Sequence, residues 1–317
     1  MCKICKENPV IIVQGNRPLC KGCFVKYFEK KVFSTIRQYK LIDKNDTVAV
    51  GVSGGKDSMT LLFILNKIMS PRKGKFFGLL IDEGIENYRD VTKESAVKFC
   101  KDNGITLKIA SYKKEFGKSL TEMLKTKKIN ACALCGVLRR YMLNKYARKY
   151  KATKLATGHN LDDEAQSILM NLFKGNMSLS AKLGPKTGVL IHKQFVPRIK
   201  PLYFLTEKET ATYCKLRNLP VTFIECPNHK GSFRDNVTES LNNLESKMSG
   251  TKQSIVNSLL EMLPELKKRY KDLKIGTCKK CKEPSAKEYC KVCQMLRLWV
   301  TTIKFLKAIM NFTKKSS

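Results

Sequence analysis

An apolar run, Val48-Ala49-Val50-Gly51-Val52, leads without a break into Ser53-Gly54-Gly55-Lys56-Asp57-Ser58, and the residues from Met59 to Leu65 continue as the opening of a helix. A buried strand that enters a helix through a glycine-rich turn is the unit from which parallel α/β sheets are built. Because the first turn of such a helix has free N–H groups and the positive end of its dipole, the turn is a ready site for an anion. Gly54 and Gly55 let the backbone come close to a phosphate, Lys56 adds a point charge, and Ser53 and Ser58 offer hydroxyl donors. The spacing is not GxxxxGK(S/T), which separates this turn from the common nucleotide-triphosphatase loop.

The same alternation continues downstream. Strands are expected over 48–52, 76–81, 107–110 and 155–157, separated by helical patterns such as 90–103 and 136–150. This implies a parallel sheet covered on both faces, with ligands gathering at the carboxyl ends of the strands, where Ser53, Asp82 and Gly158 lie. Before the sheet, residues 24–36 carry apolar side chains at helical spacing, and Asp43 to Asp46 mark a turn. After it come a helix over 206–219, a short strand over 221–225 and a helix over 232–247; Pro264 interrupts or restarts the last amphipathic run.

Thirteen cysteines narrow the chemistry. Cys2-x2-Cys5 with Cys20-x2-Cys23, and Cys278-x2-Cys281 with Cys290-x2-Cys293, are paired knuckles that place four thiolates around a tetrahedral zinc ion at each end of the chain. No secretory signal precedes Cys2 and no run of ~18 apolar residues is present, so a reducing cytoplasm is expected, with metal in place of disulfides and no membrane. A closed four-cysteine zinc site has no open position, so these modules fold and present surface.

Cys132-x2-Cys135 differs, because its one companion is Cys226, far downstream. Three thiolates suit a cubane iron–sulfur cluster with one iron left open. From residue types alone this reading stands level with a redox or persulfide pair, ahead of a zinc site completed by His229 and of plain buried thiols. Cys100 and Cys214 fall in apolar helical stretches and read as core.

Sixty-one Lys and Arg against twenty-seven Asp and Glu give a net charge of +34, the footprint of a polyanion binder. The basic residues cluster on expected helices, at Arg139-Arg140, Arg148-Lys149 and Lys267-Lys268-Arg269.

With these pieces in order, the hexapeptide resembles the signature of the PP-loop ATP pyrophosphatases. The chain from Cys2 to Cys293 resembles one group of them, the tRNA 2-thiouridine synthetases of the TtuA and TtcA family, which includes the eukaryotic cytoplasmic tRNA 2-thiolation protein. The resemblance rests on both knuckles, Ser53 to Ser58, Cys132-Ala-Leu-Cys-Gly-Val-Leu-Arg-Arg140, Thr157-Gly-His-Asn-Leu-Asp-Asp-Glu-Ala165, Pro197-Arg-Ile-Lys-Pro-Leu202 and Cys226. Two zinc modules are similar to the branch holding TtuA and the eukaryotic protein. The implied fold is an adenine nucleotide α-hydrolase-like PP-loop core between zinc modules: an N-terminal knuckle over 1–25, the catalytic core over 26–245, a helical linker over 246–275, and a C-terminal knuckle with a tail helix over 276–317.

That resemblance implies an ATP- and Mg2+-dependent tRNA thiolase, a homodimer, with a 4Fe-4S cluster on Cys132, Cys135 and Cys226. It implies ATP contacts from Val52, Ser53, Gly54, Gly55, Lys56, Asp57, Ser58, Ile81, Gly158 and Asp163. Lys56, Asp163, Cys132 and Cys226 are the expected catalytic residues, and sulfur comes from a thiocarboxylated ubiquitin-like carrier or inorganic sulfide. Asp163 is favoured over Asp162 by the family pattern, and His159 reads as a turn residue. Arg139 and Arg140 follow Cys135 on a helix, so one of them is expected to face the cluster side and the ATP phosphates or tRNA. Sulfide on an open iron and a persulfide on Cys132 or Cys226 draw on the same thiols; the cluster is preferred because Cys135 has no role with two thiols. A lysidine synthetase-like ligase would need no such trio, and a non-enzymatic zinc-ribbon RNA binder would have no reason to keep the complete hexapeptide.

Overall fold

The computed structural model describes residues 1–125, 130–188, 194–222, 224–228, 231–271 and 275–296; His229 and the expected tail helix lie outside them. The N-terminal knuckle is built on a hairpin of β1 (Ile11–Val13) and β2 (Arg17–Leu19) and runs directly into α1 (Lys21–Gln38). Asp43 and Asp46 then close a turn on each other, Asp46 N–H donating to the Asp43 carbonyl at 3.0 Å and Asp43 N–H to the Asp46 carboxylate at 2.8 Å.

The core alternates β3 (Thr47–Val52), α2 (Lys56–Met69), β4 (Lys75–Asp82), α3 (Arg89–Asp102) and β5 (Leu107–Ser111). Short helices α4 (Tyr112–Phe116) and α5 (Leu120–Lys125) lead to α6 (Ala131–Lys149), β6 (Lys154–Ala156), α7 (Leu161–Phe173), α8 (Met177–Ser180) and β7 (Arg198–Ile199). Helices α9 (Glu207–Leu216), α10 (Phe233–Lys247) and α11 (Thr251–Arg269) follow, and β8 (Gly276–Thr277) with β9 (Pro284–Ser285) forms the C-terminal hairpin.

The five central strands are all parallel, in the order β5-β4-β3-β6-β7. The chain therefore builds outward from β3 on one side and returns to build on the other, which leaves a crevice at the carboxyl ends of β3 and β6. The period-2 alternation of the strands sorts their side chains between two layers. Val48, Val50, Val52 and Leu80 meet α1, α2, α3 and α9, whereas Ala49, Leu79 and Ile81 meet α4, α5, α6 and the C-terminal knuckle. Val48, Val50, Leu79 and Leu80 are fully buried, each contributing about 1.5–3 kcal/mol.

Three local expectations change. Pro264 sits inside α11, where the apolar face carrying Val256 and Leu259 packs on α7 and α10 and offsets the roughly 3 kcal/mol cost of a mid-helix proline. Val221, Thr222, Ile224 and Glu225 form no strand; Val221 N–H folds back to Leu219 O at 2.9 Å, and Pro220 and Pro227 flank the stretch. The fifth strand, β7, is an element that periodicity missed, because Pro197 and Pro201 confine it to two residues.

Candidate functional site

The turn after β3 is wound around its own hydroxyls. Ser53 N–H donates to Ser58 Oγ at 3.1 Å, the two serine hydroxyls lie 3.0 Å apart, and Ser58 Oγ reaches Gly55 O at 3.0 Å. Gly55 is the N-cap of α2, so the free N–H groups of that helix open where the turn is tightest. Gly54 has φ +82°, and a Cβ there would collide with the Thr92 carbonyl. Lys56 Nζ lies 2.7 Å from Glu207 and 3.2 Å from Asp57. Burial works against its charge, yet these carboxylates hold the ammonium above its ordinary pKa.

The loop after β6 closes the other wall of the crevice. A Cβ on Gly158 would stand 2.9 Å from the Asp57 backbone, so only glycine lets this loop touch the phosphate turn. Asn160 caps α7 in a reciprocal box with Asp163 and donates to Asp57 Oδ1 at 3.1 Å. Burial raises the Asp163 carboxyl to about 7 against the pull of the Asn160 N–H, and neighbouring Asp57 adds to the rise, although 35% of the Asp163 side chain stays exposed. Asp162 is buried and already engaged, accepting from Glu207 N at 2.7 Å and pairing with Lys252, which ties α7 to α11. His159 is exposed at the surface, with Nδ1 2.9 Å from Thr157 Oγ1; desolvation by the surrounding chain and the charges of Lys200 and Arg198 push its pKa down to about 3.

Helix α6 begins five residues before its expected start, because the Asn130 side chain accepts from Ala133 N–H at 2.9 Å and caps it there. Cys132 and Cys135 thus stand in its first turns, at i and i+3 on neighbouring positions of one face. Cys132 is exposed, and its thiol donates to Asn228 O at 3.2 Å, in the loop that carries half-buried Cys226. Partial desolvation raises the Cys132 thiol, and the neighbouring Cys226 adds to the rise. Cys135 is buried; Arg139 Nη2 donates to its sulfur at 3.2 Å, and its carbonyl accepts from Tyr112 OH at 3.0 Å. A guanidinium aimed at a buried sulfur fits a thiolate ligand better than an inert thiol.

At the termini the donor sets are closed. Within Cys2, Cys5, Cys20 and Cys23, and within Cys278, Cys281, Cys290 and Cys293, all four sulfurs lie inside 4.8 Å of one another, which are four-cysteine metal sites. Burial resists ionisation of Cys2 and Cys278, but backbone N–H donors bring each thiol down to about 6. The neighbouring Cys5 sulfur pushes Cys23 up to about 12, because crowded sulfurs disfavour a second negative charge.

A PP-loop domain model matches residues 26–238. The chain is 36% identical over 296 residues to the tRNA-5-methyluridine(54) 2-sulfurtransferase of Pyrococcus horikoshii, covering 92% of each chain. It is 32% identical over 304 residues to the cytoplasmic tRNA 2-thiolation protein 1 of Arabidopsis thaliana, covering 93% of this chain and 84% of that one. The chain belongs to the PP-loop tRNA 2-thiolation family. Its fold superposes on the U34-tRNA thiolase NcsA from Methanococcus maripaludis, solved with its 4Fe-4S cluster, at a TM-score of 0.78, with 35% identity over 92% of this chain and 94% of that one.

In this member of the 2-thiolation family, Val52 and Ile81 are buried at the strand ends beside the turn, and Asp57, Gly158 and Asp163 converge across the crevice. Arg139 and Arg140 diverge: Arg139 is held by Glu83 and Cys135, while Arg140 has no hydrogen bond or ion pair among the described residues. Arg140 is exposed, yet desolvation by nearby protein and the charges of Arg139 and Arg234 lower its pKa; burial and Arg140 do the same to Arg198. Arg198, inside the 197–202 stretch, has no role legible in the sequence, and Arg234 stands alone at the opening of α10; only the fold sets them around His159. The reverse holds for Arg148, counted among the surface cations, which pairs with Glu283 of the C-terminal knuckle. No helix among the described residues is long and apolar enough to cross a membrane.

Proposed function

We propose that this chain is an ATP-dependent tRNA 2-thiolase that adenylates the C2 oxygen of a tRNA uridine and replaces it with sulfur. The reading is supported by the phosphate turn after β3 and by Cys135, whose carbonyl meets Tyr112 after β5 and whose sulfur is linked through Arg139 to Glu83 after β4, in a chain related along its length to proteins named for tRNA 2-thiolation. A carbonyl oxygen leaves poorly, so C2–O first attacks the α-phosphorus and pyrophosphate departs; sulfur then adds at C2 and AMP leaves with the former C2 oxygen. Ser53, Gly55, Lys56 and Ser58 hold and neutralise the departing phosphates, and Val52, Gly54 and Ile81 wall the nucleotide. Asp163 and Asp57, bridged by Asn160, present carboxylates suited to Mg2+. Arg140, backed by Arg198 and Arg234, offers positive charge to a tRNA phosphate.

Cys132, Cys135 and Cys226 would hold the 4Fe-4S cluster, Cys132 being exposed and Cys135 buried against Arg139. When bound, the cluster supplies a Lewis-acidic iron without a protein ligand, suited to activating sulfide. The four-cysteine sets hold zinc. The family resemblance supports a cytoplasmic homodimer supplied by a thiocarboxylated carrier protein or by sulfide.

Protein purified without oxygen, mixed with ATP, Mg2+, sulfide and unmodified tRNA, should release pyrophosphate and form 2-thiouridine detectable by nucleoside mass spectrometry. Mapping the product decides between the positions in the relatives' names, 54 and 34. Pyrophosphate release without sulfur incorporation would point to another ligase, and no release to a binding protein.

A further inference from the structure

One buried charge cluster lies between the two halves of the site and takes no part in the chemistry above. Glu83 follows β4 and is 1% exposed; Arg89 opens α3 and is 2% exposed. An isolated carboxylate so deep is strongly disfavoured, and Glu83 has two cationic partners. One of its oxygens pairs with Arg89 and the other lies 2.7 Å from Arg139 Nε. These are close charge contacts set off the line of an ideal N–H···O bond, so the carboxylate is shared between the guanidiniums and not saturated by either.

From Glu83 the contacts run outward to both halves. Arg139 Nη2 donates to Cys135 Sγ at 3.2 Å. Arg89 Nη1 donates to the Ser53 carbonyl at 2.8 Å and lies 3.2 Å from Thr92 Oγ1. The Thr92 carbonyl in turn backs Gly54, where no Cβ would fit. A single carboxylate thus holds one guanidinium on the backbone of the phosphate turn and another on a sulfur of the thiol trio.

We propose that Glu83 is a positioning residue that couples the two sites, so that a nucleotide at residues 53–58 and a 4Fe-4S cluster at Cys132, Cys135 and Cys226 change each other's binding or redox free energy through Arg89, Glu83 and Arg139. The inference rests on the proposed function for both occupants. Phosphates drawn into the turn bear on the Ser53 carbonyl and hence on Arg89, which is held by the same carboxylate group as Arg139. Any change in Arg139 changes its N–H···S donation, and hydrogen bonds to cluster sulfurs tune reduction potential. Linkage makes the effect reciprocal: if the nucleotide shifts the potential, reduction shifts nucleotide affinity by the matching factor.

The test uses the full chain loaded with iron without oxygen, and α,β-methylene ATP as probe. Its Kd is measured with the cluster oxidised and reduced, and the midpoint potential with and without the analogue. The wild-type Kd ratio should be about fivefold or more, in either direction. In Glu83→Gln it should fall to near one while iron and analogue both still bind. Arg139→Lys and Arg89→Lys keep the charges beside Glu83 but cannot span two partners, so they should also uncouple the sites; they carry the test if Glu83→Gln does not fold. A wild-type ratio of one, or an unchanged ratio in these variants, overturns the coupling. A wild-type chain that takes up no iron, or binds no analogue, overturns the proposed function, and this inference with it.

Discussion

The terminal cysteines and the mid-chain cysteines use one residue type in two opposed ways. At each end, two CxxC pairs are folded back by a short hairpin until four sulfurs lie within 4.8 Å of one another, with room for one cation between them. The mid-chain trio is drawn from the first turns of α6 and from a loop far downstream, with one member buried, one half-buried and one exposed, and its sulfurs do not form such a tight set. The first arrangement closes a site; the second leaves a side open. Ligand spacing reports how a metal is held, but exposure reports whether anything else can reach it.

The two end modules differ as well. Cys2 and Cys20 share a core with α1, α2 and α9, and Phe28 of α1 stacks on Tyr213 at 4.2 Å between centroids. Cys278, Cys290 and Cys293 instead share a core with Leu138, Met142 and Cys135 of α6, the helix that carries two of the trio. The C-terminal module therefore supports the thiol site from behind, although it is remote from it in sequence.

The largest effect should come from the open site. Replacing any of Cys132, Cys135 or Cys226 by Ala should remove about four irons per chain and abolish thiolation while two zinc ions remain, read by elemental analysis. Full activity of Cys135→Ala in iron-free protein would leave a two-thiol route as the working one. Next, Lys56→Ala should slow pyrophosphate release by about 10²- to 10³-fold, with tRNA affinity held within a few-fold by the basic surface; an equal loss of tRNA binding would break that separation.

Proton dependence gives a smaller effect. Because burial raises Asp163 to about 7, its carboxylate is lost as pH falls through that value, and kcat/KM for pyrophosphate release should drop about tenfold per pH unit below it. A limb near pH 4 would show that Asp163 is not the titrating group. Smaller again, Cys278→Ser with Cys281→Ser should reduce zinc from two ions to one and speed iron release from the trio, whereas Cys2→Ser with Cys5→Ser should cost the zinc alone. Equal iron loss in both would remove the distinction between the ends. Least of all, Cys100→Ser, at a site where burial lifts the thiol to about 11, should cost about 1–3 kcal/mol in denaturant unfolding and no metal.

The sequence by itself determined whatever depends on neighbours a few residues apart. The strand-turn-helix around Ser53, the paired CxxC sets and the Asn160 cap of α7 are short-range geometry, in which chain connectivity alone brings the groups together. Tertiary structure decided what distant elements must share. It assigned Asp162 to Lys252 and left Asp163 in the crevice, although the two are adjacent and chemically identical in sequence. It likewise turned Arg139 to Glu83 and Cys135, left Arg140 without a hydrogen bond or ion pair among the described residues, and set Arg198 and Arg234 beside it. Which of two like residues is paired depends on the low-dielectric surroundings that other elements supply, and those surroundings exist only once the sheet has closed against its helices.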